Sequence, residues 1–128
     1  MTVKELISLI DELKPNNYSL QRKMEWLNQI EGQIFEKVIK THANPNGITF
    51  EKYDFDLDGD KELIATGIYE SLYRYFIEGQ IDYSNQEINK YNNSAAMFNE
   101  EYSNYVKAYR REHMPLHSTD GPIFYKEG

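Results

Sequence analysis

The sequence predicts a mainly α-helical fold: a small bundle of about four helices, a short β-hairpin or loop between helices two and three, and an extended C-terminal tail. Three observations lead there. Apolar residues recur three and four apart over most of the chain, the period of a helix with one buried face. Helix-breaking residues gather at Pro15-Asn16-Asn17, at Asn44-Pro45-Asn46-Gly47 and beyond His113, dividing the periodic stretches from one another. The chain has 128 residues, 40% hydrophobic and 27% charged, the size and balance of one globular domain with one core. The helical domain is expected over residues 1–115 and the tail over 116–128.

Thr2 and Glu5 form a capping-box pattern around Val3, Leu6, Ile7, Ile10 and Leu13, so a first helix starts at once and Pro15 stops it. Ser19 can cap a second helix with Leu20, Met24, Leu27, Ile30, Ile34 and Val38 on one face. Trp26 and Phe35 widen that stripe, which predicts burial on more than one side. Gly32 inside this helix costs about 1 kcal/mol relative to Ala, and its expected use is the close approach of a neighbouring helix. After the break at Asn44–Gly47, Ile48 and Phe50 alternate with polar residues, and Tyr53 and Phe55 alternate one step out of phase. That pattern predicts a short bulged strand pairing with Glu62–Ala65 as a hairpin.

Helical periodicity resumes near Ile68, with Tyr69, Leu72, Tyr73, Phe76 and Tyr83 on one face and small Gly79 among them. The strongest periodic signal follows. Ile88, Tyr91, Ala95, Phe98, Tyr102, Tyr105 and Tyr109 define the seam of a long helix packed along a partner at a shallow angle. Ser84 and Glu87 can cap its start; one long bent helix through Tyr83 is the alternative. Pro115, Gly121 and Pro122 exclude helix from the tail. Its apolar cluster, Ile123, Phe124 and Tyr125, is the candidate partner-binding element, because a free tail gains nothing from exposing it.

Composition narrows the function. Without cysteine there is no disulfide framework, thiolate metal site or cysteine nucleophile. A net charge of -7 argues against wrapping nucleic acid, which requires clustered cations. The one compact basic group, Lys107, Arg110 and Arg111, fits a helix end complementing its dipole. The N-terminal stretch, interrupted by charges, is not expected to be a signal peptide, and no segment is long and apolar enough to span a bilayer. The 11 Tyr, 6 Phe and single Trp suit subunit interfaces as well as cores.

The sharpest local motif is Asp54-Phe55-Asp56-Leu57-Asp58-Gly59-Asp60-Lys61-Glu62. Aligned as an EF-hand loop, Asp54, Asp56, Asp58 and Gly59 fall correctly, but Lys61 takes an apolar position and Ala65 replaces the closing bidentate glutamate. The segment from Asp56 to Ile64 also resembles the calcium loop of integrin-type propeller repeats, here in one copy. An acidic turn with Gly59 at positive φ is the plainer reading. His113 and His117 are spaced for one helix face, but Pro115 lies between them, and neither they nor His42 bring a carboxylate cluster for zinc. No nucleophile elbow or phosphate-cradling glycine loop is present. The chain is expected to be no enzyme and to need no cofactor or metal.

Several segments together resemble the small head–tail connector (adaptor) proteins of tailed phages and prophages of Gram-positive bacteria. They are Trp26-Leu27-Asn28-Gln29-Ile30-Glu31-Gly32, Glu62-Leu63-Ile64 followed by Tyr69, Gln80-Ile81-Asp82-Tyr83, Tyr91-Asn92-Asn93-Ser94 with Met97-Phe98-Asn99, and Tyr109 with Arg111 leading into His113-Met114-Pro115. The resemblance spans the first helix to Pro115 and rests on order and spacing. One departure stands out: relatives place prolines before the helix holding Tyr69, where this chain has Thr66-Gly67-Ile68. The resemblance implies a helical protomer that forms a homo-oligomeric ring on the portal protein, with tail-completion proteins as further partners. It implies assembly in the bacterial cytoplasm and residence at the virion head–tail junction, with no membrane and no sequence-specific nucleic acid. A calcium-binding interaction module built on Asp54–Glu62 and a small prophage regulatory or antitoxin-like protein are the alternatives.

Overall fold

The computed structural model describes residues 1–116. Five α-helices form within them: α1 (Val3–Leu13), α2 (Leu20–Ile34), a single-turn α3 (Phe55–Asp58), α4 (Ser71–Ser84) and α5 (Ile88–Glu112). A π-helical turn, Phe35–Ile39, prolongs α2, and a 3₁₀ turn, Gly67–Tyr69, leads into α4. The mainly α-helical prediction holds.

The capping box forms as read: Thr2 Oγ1 accepts from Glu5 N–H, and Glu5 accepts from Thr2 N–H at 2.8 Å. Ser19 caps α2 by accepting from Arg22 N–H. The α2 stripe from Met24 through Val38 is buried, with Trp26 widening it against Tyr18, the two rings 5.5 Å apart edge to face. Gly32 plays a different part from the one expected. A Cβ there would sit 3.6 Å from the Phe50 ring, so the position faces the connecting loop and not a helix.

Helices α4 and α5 form an antiparallel hairpin that packs more extensively than any other pair of elements. Gly79 faces Ser94 and Tyr91 across it. The two helices are separate: Asn85–Glu87 turn between them, with Gln86 at φ 61. Glu87 occupies the N-cap of α5 without a capping bond, and its carboxylate turns instead to Lys90 at 3.0 Å. The predicted cap by Ser84 or Glu87 does not form. The seam is graded along its length, from exposed Ile88 through half-buried Tyr91, Phe98 and Tyr102 to buried Tyr105 and Tyr109.

The hairpin between helices two and three does not form, and the loop alternative is correct. Segments 48–53 and 61–64 form no ladder with one another, and several of their backbone groups are bonded elsewhere. Asn44 engages both the N–H and the C=O of Ile48, and Asn28 both those of Tyr53. Lys61 and Leu63 bond to Val3 and Met1, giving the antiparallel bridge Thr2–Glu62. Asp54 then caps α3, consuming the stretch where Phe55 was to continue the strand. Gly59 is likewise not at positive φ; its φ is -56°. It is needed because a Cβ would lie 2.6 Å from Lys4 Cε and 2.7 Å from the Phe55 carbonyl oxygen. Before α4, Gly67 at φ +66° bends the chain into the 3₁₀ turn.

Candidate functional site

Two carboxylates lie fully inside the bundle, and both were missed as functional positions in the sequence. Glu31, on α2, accepts from Tyr73 Oη at 2.6 Å, Tyr53 Oη at 2.7 Å and Ile64 N–H at 2.9 Å. The Tyr73 hydroxyl in turn accepts from Ala65 N–H at 2.7 Å. Burial pushes the Glu31 carboxyl above its ordinary range, and the three hydrogen bonds pull the other way. Burial and the neighbouring Glu31 charge hold both tyrosine hydroxyls above the usual phenol value, so they stay donors. This hub ties α2, α4 and the 48–65 connection together.

Asp82, near the end of α4, is the second hub. Lys14 Nζ donates to Oδ1 at 2.6 Å, Ser94 Oγ donates to Oδ2 at 3.0 Å, and Glu87 N–H bonds its carbonyl at 2.9 Å. Asp82 thereby joins α1, α4, the α4–α5 turn and α5. For Glu31 a charged residue on an otherwise apolar stripe was the available signal, since it falls one turn beyond Leu27; Asp82, adjacent to Ile81, shares no such stripe with it.

At the far end of α5, His113 stacks on Tyr109 with ring centroids 3.8 Å apart, and His42 meets the same tyrosine edge to face at 5.3 Å. Beside them, Ala43 N–H donates to the Met114 carbonyl at 2.7 Å and Leu116 N–H to the Thr41 carbonyl at 2.8 Å. His42 and His113 therefore serve packing where residues 114–116 pair with 41–43. Ile123, Phe124 and Tyr125 lie outside the described residues. Lys107, Arg110 and Arg111 are exposed on the last turns of α5, as a solvated helix end should be.

Two of the four aspartates of the calcium-like motif, Asp54 and Asp58, are used internally, while Asp56 and Asp60 are exposed. Asp54 Oδ2 accepts from Leu57 N–H at 3.0 Å; Asp58 accepts from Asp54 N–H at 2.8 Å and pairs with Lys61 at 3.4 Å. Among the described residues no three His, Asp or Glu side chains converge as a metal site, and no helix is long and apolar enough to cross a membrane.

Leu13, Leu20, Tyr83 and Ile88 are each at least two-fifths exposed, and the Tyr18–Asn85 hydrogen bond of 2.7 Å links the α1–α2 loop to the α4–α5 turn. Compared with protein-family models, with curated proteins and with solved structures, the chain matches none.

Proposed function

We propose that this chain is a head–tail connector of a tailed phage or prophage, a non-catalytic subunit that forms a ring on the portal protein. The observation that carries the reading is where the resembling segments fall. Trp26–Gly32 holds Glu31, Glu62–Ile64 holds the amide that Glu31 binds, Gln80–Tyr83 holds Asp82, and Tyr91–Ser94 holds the Ser94 that Asp82 binds. His113-Met114-Pro115 leads the stretch that pairs with Thr41–Ala43. A family pattern made of fold-specifying contacts, with no reactive constellation beside them, suits a subunit whose work is assembly.

The charge and the surface agree with this role. A net charge of -7 favours a channel lining along which DNA slides without sticking. Exposed Tyr83 and Ile88, flanking the α4–α5 turn, offer apolar surface to a neighbouring subunit. The tail supplies a second contact, with Ile123, Phe124 and Tyr125 as its anchors on the portal.

Co-expression with the portal protein of the same genome tests the proposal. The full chain is expected to co-purify with the portal as a ring. Deleting Leu116–Gly128 is expected to abolish that association while leaving helical circular dichroism nearly unchanged. A full chain that never associates with its portal removes the connector reading.

A further inference from the structure

The tip of the loop after the π-helical turn carries a reactive pair. Asn46-Gly47 is the one Asn-Gly pair in the chain. Both residues are exposed, and Gly47 has φ +65° with no atom within 4 Å of where a Cβ would stand. An asparagine side-chain amide is open to attack by the backbone nitrogen of the next residue. Glycine leaves that nitrogen unshielded and its backbone free to turn toward the amide.

The loop divides its two asparagines by role. Asn44 is followed by Pro45, which has no N–H, so Asn44 cannot react in this way. It serves as the clamp of the loop. Its Oδ1 accepts from Ile48 N–H at 3.0 Å, its Nδ2 donates to Ile48 C=O at 2.8 Å, and its carbonyl accepts from Gly47 N–H at 3.1 Å. The nitrogen that would attack is therefore held in a hydrogen bond while the clamp is closed. Asn93, followed by small Ser94, is the nearest rival in sequence. It lies inside α5, where the helical ladder fixes the Ser94 amide.

We propose that Asn46 is a site of spontaneous deamidation, and that opening of the Asn44 clamp sets its rate. Gly47 N gives its proton to solvent and bonds to Asn46 Cγ. The Cγ–Nδ2 bond breaks, the departing nitrogen takes a proton from solvent, and ammonia leaves a five-membered succinimide. Water then opens the ring. Breaking the new Cγ–N bond yields aspartate, whereas breaking the bond from the main-chain carbonyl carbon to nitrogen yields isoaspartate, with the chain running through Cγ. Either product adds a negative charge to the depression of about 360 Å³ that Asn46 lines together with Glu112. Isoaspartate also lengthens the backbone by a methylene inside the ring that Asn44 closes with Ile48, so the clamp no longer fits. Ile48 packs against the core, which carries the change beyond the loop tip.

Incubation of the full-length chain at mildly alkaline pH, followed by peptide mass mapping and isoaspartate detection, tests the proposal. Asn46 is expected to convert before any other asparagine, with isoaspartate among the products. N44A keeps Asn46-Gly47 and removes both side-chain bonds to Ile48. It is expected to convert about fivefold faster or more, the factor that one net hydrogen bond is worth. The parent in denaturant, with the clamp open, is expected to convert faster than the folded parent by at least that factor, and this comparison decides if N44A does not fold. Converted protein, separated by its added charge, is expected to exchange the Ile48 amide faster than unconverted protein. Earlier conversion of another asparagine overturns the site. Equal rates in the folded and denatured parent, or in the parent and folded N44A, overturn the gate, and unchanged Ile48 exchange overturns its coupling to the clamp.

Discussion

The α4–α5 hairpin and the 40–66 connection meet at the last turns of α5, where His42 packs on Tyr109, yet they are held in different ways. The hairpin is built from local periodicity. Its two helices interleave Phe76 with Phe98 at 5.4 Å and Tyr83 with Tyr91 at 5.3 Å, a graded ladder of rings in which no single contact decides the geometry. The connection has almost no regular structure of its own. Its path is set by a few polar side chains on distant helices, chiefly Asn28, Glu31 and Tyr73, each clamping specific backbone groups. One region is redundant and tolerant; the other depends on a small number of buried hydrogen bonds.

Removing Glu31 should break that comparison most visibly. Glu31→Ala strips the acceptor from Tyr53, Tyr73 and Ile64 N–H at once, inside a site with no solvent. The expected cost is about 3–5 kcal/mol, a large part of a domain stability of about 5–15 kcal/mol. Thermal melting should fall by roughly 12 °C or more. Amide exchange should speed first in the connection and only later in α4 and α5. Uniform loosening of both regions would erase the distinction.

A smaller effect is expected on the other side. A fully buried Phe→Ala costs about 3–5 kcal/mol, but Phe98 is only half-buried, stacked on Tyr102 at 5.4 Å and beside Phe76. Phe98→Ala should therefore cost about 1–2.5 kcal/mol. If the variant melts like the parent and instead loses self-association, this stretch of the seam is an intersubunit surface.

How much of this was legible in the sequence follows the same division. Helix α1 with its capping box, the α2 stripe and the α5 seam were legible because their determinants lie within four residues of each other. The hairpin was misread because alternation at Ile48, Phe50 and Tyr53 reports an extended chain but not its partner. Asn28 and Glu31, more than twenty residues upstream, take the groups that a ladder needs. Gly59 was misjudged for a related reason. Its constraint is the nearby Lys4 side chain and the Phe55 carbonyl, and a turn motif carries no trace of Lys4. The Glu31 hub was visible only as a charge on an apolar face, a signal that burial alone converts into meaning, and Asp82, beside Ile81 in sequence, carried none.

The pH dependence of the Glu31 hub sharpens the comparison further. Burial raises the folded-state pKa of Glu31 above the ordinary carboxylate value. A group raised on folding contributes most below its unfolded pKa, and that contribution is lost as pH rises through the folded pKa. The parent should therefore gain stability relative to Glu31→Gln as pH falls from 7 toward 5. Carboxylates held low by local hydrogen bonds, Glu5, Asp58 and Glu87, weaken both proteins equally and cancel in the difference. Denaturant melts of the two proteins at three pH values measure it, and a gap that widens with rising pH in favour of the parent contradicts the assignment.

The smallest expected effect is that of calcium on the acidic end of the connection. The Asp54–Glu62 stretch has the composition of a cation loop, but three of its carboxylates, Asp54, Asp58 and Glu62, are committed. Asp54 caps the one-turn helix α3, and Asp58 binds the Asp54 amide and Lys61. The Asp54 N–H first, and Lys61 second, hold the Asp58 carboxyl below its usual range, which marks a carboxylate already provided with partners. Gly59 adopts right-handed helical backbone, and Ala65, at the position of the closing bidentate ligand, is buried in the core. Binding an ion would require giving up the α3 cap and the Lys61 pair without gaining a closing carboxylate, so the competition favours the internal bonds. Calorimetric titration should detect no site in the sensor range of about 10⁻⁷–10⁻⁵ M, and millimolar calcium should leave the melting temperature unchanged. Asp54→Ala should still destabilise, by about 1 kcal/mol through the lost N-cap, in calcium and in chelator alike. A destabilisation that appears only with calcium present would turn the acidic turn into a binding loop and make the connection, not the hairpin, the responsive half of the molecule.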